Sequence, residues 1–149
     1  MREGNEISKE DSFDEAPARV EVNAVARILV IDDAPDARAL FQQALESVGH
    51  EVVLAADGIE GIREYCAQPA DLVITDIYMP NQDGLETIVE LRRRCPEVAI
   101  IGMSGWNAAR TMLSIAQKLG ALQVLQKPFT VDELLAAVEK ALRVNSGPV

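Results

Sequence analysis

Histidine occurs once and cysteine twice in these 149 residues, and the two scarcities remove whole classes of chemistry. A lone His50 leaves no His-based metal site and no His–Cys or His–Ser catalytic pair to pursue. Cys66 and Cys95 lie far apart in no metal-ligand spacing, so they read as reduced, half-buried helix residues of a cytoplasmic protein. No apolar run approaches the roughly 20 residues that a membrane span needs. The start, Met1 to Asp11, is charged from Arg2 onward and has no apolar core, so no signal peptide is expected. Bases are short as well: 14 Lys and Arg stand against 24 Asp and Glu, a net charge of −10. A chain this acidic repels phosphate backbones and anionic lipid, so neither direct nucleic-acid binding nor membrane binding is expected. No internal repeat is visible.

What is present divides in two. Residues 1–21 carry seven acids and three bases with isolated apolar residues that follow no period. Such a stretch buries too little surface to offset its ordering entropy, and residues 1–24 are expected to be a mobile acidic tail. One domain is expected over 25–144, with 145–149 a short C-terminal tail. Within it five short apolar runs recur: Ile28–Ile31, Val52–Leu54, Leu72–Ile74, Val98–Ile101 and Leu122–Leu125. Most are β-branched and none alternates cleanly, as in strands buried on both faces.

Between the runs lie stripes at helical spacing. Leu40, Phe41, Ala44, Leu45 and Val48 make the first, and Ile59, Ile62 and Cys66 the second. Leu85, Ile88 and Val89 make the third; Met112, Ile115, Ala116 and Leu119 the fourth; Val131, Leu134, Leu135, Val138 and Leu142 the fifth. Pro35 suits a helix start, while Gly49 and Gly120 suit helix ends. The order is strand then helix, five times, which predicts an α/β fold with a parallel sheet and helices on both faces. In such sheets ligands bind beyond the carboxyl ends of the strands.

Those ends carry chemistry. The first strand ends in Asp32–Asp33, the third in Thr75–Asp76, the fourth in Met103–Ser104–Gly105 and the fifth in Gln126–Lys127–Pro128. Two carboxylates about 5 Å apart repel by roughly 3 kcal/mol at an effective dielectric near 20, so three of them call for a cation. Oxygen ligands with positions left to water suit Mg²⁺. Lys127 adds a movable positive charge, and with the metal and the Ser104 hydroxyl it suits a phosphoryl group. Aspartate is an established covalent acceptor of that group. Asp32 and Asp33, being adjacent, suit the metal, whereas Asp76 at the end of the third strand faces Ser104 and Lys127 and is the expected acceptor. Asp32–Asp33 also suits a plain helix cap before Pro35. Arg92–Arg93–Arg94 reads as a solvated helix end and His50 as a loop residue.

Taken together, Ile28-Leu-Val-Ile-Asp32-Asp33, Asp71-Leu-Val-Ile-Thr-Asp76-Ile-Tyr-Met-Pro80 with Asp83-Gly84, Met103-Ser104-Gly105, and Gly120-Ala121 with Leu125-Gln-Lys127-Pro128-Phe129 resemble the receiver domain of two-component response regulators. The resemblance implies a flavodoxin-like doubly wound sheet of order 2-1-3-4-5 and phosphorylation of Asp76 by a histidine kinase or a histidine phosphotransfer protein. It implies that Asp32 and Asp33 bind Mg²⁺ with Asp76 and the backbone carbonyl of Tyr78. Ser104 becomes the switch hydroxyl and Lys127 the phosphoryl contact, before a cis Lys127–Pro128 bond. Two features depart from the family. Val124 stands where receivers usually carry an aromatic residue three before the lysine. Tyr78 and Trp106, two after Asp76 and Ser104, flank the expected path of the hydrolytic water.

The expected function is a phosphorylation-dependent switch or relay that catalyses only its own phosphotransfer and dephosphorylation. About five residues follow the last helix, so a separate downstream effector protein is expected, with a homodimer on phosphorylation as a further option. A small Mg²⁺ phosphatase with an aspartyl nucleophile, and a receiver-like binding module that is never phosphorylated, are the competing readings. The phosphatase reading lacks its usual pair of acids two apart on the first strand.

Overall fold

A β-branched apolar run buries both faces only when helices cover both, and the computed structural model of the chain arranges this with five parallel strands. It describes residues 25–77, 84–105, 110–121 and 123–145, the side chains of 110–113, 144 and 145 excepted. The elements in chain order are β1 (Arg27–Ile31), α1 (Pro35–Glu46), β2 (Glu51–Ala55), α2 (Gly58–Ala67) and β3 (Leu72–Asp76). There follow α3 (Gly84–Arg94), β4 (Ala99–Ser104), α4 (Arg110–Leu119), β5 (Gln123–Gln126) and α5 (Val131–Asn145). The sheet order is β2-β1-β3-β4-β5 with every neighbouring pair parallel. This is the expected flavodoxin-like order.

Successive residues of a strand point to opposite faces, and each face has its own core. Ile28 and Val30 of β1, Leu72 and Ile74 of β3, and Ile101 and Met103 of β4 pack under α1 and α5 with Phe41, Leu45, Leu134 and Val138. Leu29, Ile31, Val73 and Ile100 pack on the other side with Tyr65 of α2, Ile88 and Leu91 of α3 and Ala116 of α4. The central strands β1, β3 and β4 are buried almost throughout, whereas the edge strands β2 and β5 are only partly so.

Several helix stripes need correction. In α2 the buried face is Gly58, Gly61 and Tyr65; Ile59 and Cys66 are exposed, and Ile62 is partly buried. The reason is proximity: a β-carbon on Gly61 would stand 2.8 Å from Cγ1 of Ile31, so α2 lies so close to β1 that a larger residue there must push the Ile31 side chain aside. Leu40 in α1, Val48 just past it, Val89 in α3, Ile115 in α4 and Val131 in α5 are exposed as well, so each stripe is narrower than its apolar residues. Cys95 is half-buried as expected but follows the end of α3. The last strand starts at Gln123; Leu122 and Met112 lie outside the described side chains. Gly49 and Gly120 have φ of 97° and 124°, the left-handed backbone that glycine adopts without cost at helix ends. Arg93 and Arg94 pair with Glu90 at the solvated end of α3. Arg92 turns inward, donating to the carbonyls of Pro96 at 2.6 Å and Gly120 at 2.8 Å. Among the described residues no helix is long and apolar enough to cross a membrane.

Candidate functional site

Parallel strands in register deliver their carboxyl ends to one edge. Asp76 pairs with Met103, and Ser104 with Gln126, so the ends of β3, β4 and β5 are level. The amide of Ile77 donates to the Met103 carbonyl at 2.7 Å, and that of Lys127 to the Ser104 carbonyl at 2.7 Å. These two bonds extend the ladder one step beyond the strands and carry Asp76 and Lys127 to the rim.

Asp32 is fully buried and Asp76 nearly so, while Asp33 is exposed. One carboxylate oxygen of each lies within 4.8 Å of those of the other two. Lys127 enters from the far side of the sheet order, and its Nζ donates to Oδ2 of Asp32 at 3.0 Å and to Oδ2 of Asp76 at 3.2 Å. Burial pulls the ammonium toward its neutral form. The hydrogen bond to Asp32 and the charges of Asp76 and Asp32 outweigh it, and the pKa lies above the ordinary lysine value. Ser104 is buried at the end of β4, where its hydroxyl donates to the Gly105 carbonyl at 3.2 Å.

The main chain around Asp76 is tightly held. Buried Thr75 donates its hydroxyl to the Asp76 carbonyl at 3.0 Å. The amide of Gly84, first residue of α3, donates to the Ile77 carbonyl at 2.8 Å. A β-carbon on Gly84 would overlap the Asp76 carbonyl oxygen, so that turn closes only on glycine. Asp32 also takes on the capping work: its Oδ1 accepts the amide of Ala34, the N-cap of α1, which has no capping side chain of its own. Cap and cluster member are thus one residue.

The structure therefore brings Asp32, Asp33, Asp76 and Lys127 together and sets Ser104 on the same rim. Tyr78, with its carbonyl, and Trp106 lie outside the described residues. Lys127–Pro128 is cis, and Val124 is partly buried against the α2–α3–α4 core. His50 is a loop residue as expected; its Nδ1 accepts the Ala26 amide at 3.3 Å. The residues sequence reasoning passed over are Thr75, Gly84 as a contact of Asp76, and Arg38, whose Nη1 donates to the Asp32 carbonyl at 2.7 Å.

The sequence model of the response regulator receiver domain matches residues 28–139. The chain belongs to that family. This receiver is 38% identical over 125 residues to the DNA-binding transcriptional regulator NtrC of Azospirillum brasilense, covering 84% of this chain and 26% of that protein. It is 33% identical over 118 residues to the chemotaxis protein CheY of Listeria monocytogenes, covering 78% and 98%. The chain thus spans about a quarter of the length of the larger regulators it matches. Among solved structures, the response regulator TrrA of Thermotoga maritima in complex with Mg²⁺-BeF superposes with a TM-score of 0.71 at 34% identity, covering 78% of this receiver and 98% of that chain. Receivers of this family serve phosphorylation-dependent signalling in two-component systems.

Proposed function

We propose that the receiver takes a phosphoryl group onto Asp76 from a histidine kinase or a histidine phosphotransfer protein, in a reaction that requires Mg²⁺. The observation that carries this is the placement of two almost fully buried carboxylates, Asp32 and Asp76, against one ammonium at 3.0 and 3.2 Å, with exposed Asp33 beside them. Three acids and one base leave net negative charge at the rim, which suits a divalent cation with oxygen ligands and open positions. Asp32, Asp33 and Asp76 would hold it. When bound, Mg²⁺ supplies charge neutralisation at the phosphoryl oxygens.

The chain's own groups do the rest. A carboxylate oxygen of Asp76 attacks the phosphorus; the new P–O bond forms as the donor's P–N bond breaks, and the donor's imidazole leaves with that electron pair. The Lys127 ammonium, already within reach of Asp76, follows the charge onto the transferred oxygens. Ser104, released from the Gly105 carbonyl, donates to one of them. Thr75 and Gly84 keep the acceptor's backbone in place while the side chain reacts. On this reading the chain is a phosphoacceptor that turns over only its own phosphoryl group.

Intact mass after incubation with acetyl phosphate and Mg²⁺ tests the assignment. The parent gains one phosphoryl mass, Asp76→Asn gains none, and chelation of the metal abolishes the gain. An Asp76→Asn variant that still gains the mass refutes it.

A further inference from the structure

Asp32 is held at four points. Its amide donates to the Ala55 carbonyl at 3.1 Å, Oδ1 accepts Ala34 N–H at 2.9 Å, Oδ2 accepts Lys127 at 3.0 Å, and its carbonyl accepts Nη1 of Arg38 at 2.7 Å. A cation held by Asp32 would share the carboxylate with Lys127, which already occupies Oδ2. Arg38 belongs to the first turns of α1, where its amide bonds the Ala34 carbonyl at 3.0 Å. Its guanidinium then reaches back over the N-terminus of the helix. With Ala34 offering no side-chain cap, residues 32–38 form a closed loop: Asp32 receives the amide at the helix start, and the helix returns Arg38 to Asp32. Asp33 sits inside that loop, exposed, and among the described residues no hydrogen bond or ion pair holds its carboxylate near Asp32 and Asp76.

We propose that Arg38 is a positioning residue for the cation site, clamping the Asp32 main chain so that the Asp33 carboxylate stays within reach of the other two acids. The inference rests on the Mg²⁺ reading above and adds a residue that touches no ligand. It makes a prediction of sign. Arg38 is a cation beside a cation site, and through space alone its removal lowers repulsion and tightens Mg²⁺ binding. As a clamp, its removal loosens the ligand turn and weakens binding, by the 10-fold order typical when groups that orient metal ligands are lost.

The experiment is a calorimetric titration of the metal-free full chain with magnesium chloride, well below the thermal midpoint, for the parent, Arg38→Met and Arg38→Ala. The methionine variant keeps an unbranched apolar stem and removes both charge and donor. A roughly 10-fold rise in the Mg²⁺ Kd in Arg38→Met, still present at high salt where long-range charge effects are screened, supports the clamp. A merely structural role instead lowers the metal-free midpoint and leaves the Kd of the folded variant unchanged. An unchanged or tighter Kd in Arg38→Met, with the parent binding normally, overturns the proposal. A parent that shows no Mg²⁺ binding overturns the metal reading itself and the clamp with it.

Discussion

Replacing Lys127 by methionine removes the ammonium and keeps the stem, leaving buried Asp32 and Asp76 without it. Coulomb attraction across 3.0 and 3.2 Å at an effective dielectric near 20 is about 5 kcal/mol per pair, most of it offset by desolvation and by repulsion between the acids. Breaking a buried pair by deleting one partner costs about 3–5 kcal/mol. The Lys127 side chain is 30% exposed, so solvent screening brings the expected loss to about 2–3 kcal/mol. At this chain length about 1 kcal/mol moves the midpoint by roughly 3–4 °C, and Lys127→Met is expected to melt about 8 °C below the parent in metal-free buffer at neutral pH. Magnesium then repairs the defect. With no ammonium competing for Asp32, the variant is expected to have the lower Kd and so to gain more than the parent at the same Mg²⁺ concentration, where a gain of about 2.7 kcal/mol corresponds to 100 times the Kd. The gap also has a pH signature. The folded-state pKa of Lys127 is raised above 10.5, so its contribution is fully present below pH 10.5 and disappears only as pH climbs through that higher folded value. The gap between parent and variant should therefore stay constant from pH 7 to 10 and close above. Scanning calorimetry across metal and pH checks all three statements. A metal-free difference under about 2 °C, or a variant that gains no more from Mg²⁺ than the parent, refutes the account of Lys127 as the internal counter-ion.

Gly84→Ala should cost about 3 kcal/mol or more and slow phosphorylation, because the new methyl would stand 2.5 Å from the Cα of Ile77 and 2.8 Å from the carbonyl carbon of Asp76; the thermal midpoint and acetyl phosphate labelling read both effects. The nearest atoms to a methyl on Gly61 belong to the Ile31 side chain, which can shift, so for Gly61→Ala a loss of about 1–2 kcal/mol is expected in urea unfolding, with labelling of Asp76 unchanged. Burial holds the His50 pKa below 6.5, so the unfolded chain takes up its proton first, and stability should fall as pH drops from 6.5 toward the folded value. His50→Gln, which keeps an acceptor for the Ala26 amide, should flatten that slope in pH-dependent melting.

The strands were legible because a strand covered on both faces is written as an uninterrupted β-branched run, as in Ile28–Ile31 and Leu72–Ile74. The cluster was legible because its members are chemically costly together, and acids at the ends of β1 and β3 with a lysine after β5 demand a joint explanation. The helix faces were harder to read. Ile59 and Cys66 look like a stripe, yet α2 approaches β1 at Gly61, and a small residue at a close approach leaves no hydrophobic signal. Arg92 illustrates the same gap: one of three consecutive arginines folds inward because the Gly120 and Pro96 carbonyls wait there, and nothing in Arg92–Arg93–Arg94 distinguishes it. Arg38 was invisible for a related reason, since its partner is a main-chain carbonyl and carries no side-chain signature.

The contacts at the centre of the site join residues 95 positions apart for Lys127 and Asp32, and 51 for Lys127 and Asp76. β1, β3 and β5 are separated in the chain by whole strand–helix units, and β5 is the last strand to emerge during synthesis. No fragment that ends before β5 can contain the cluster, and a chain whose edge strand has peeled away loses Lys127 from it. The site is therefore made wholly of non-local contacts and is complete only in a sheet that is complete from β1 out to its edge. On the proposed reading, phosphoryl transfer at this cluster requires the finished fold: a half-made molecule would not react, because the groups that would carry the reaction lie in different parts of an unfinished sheet.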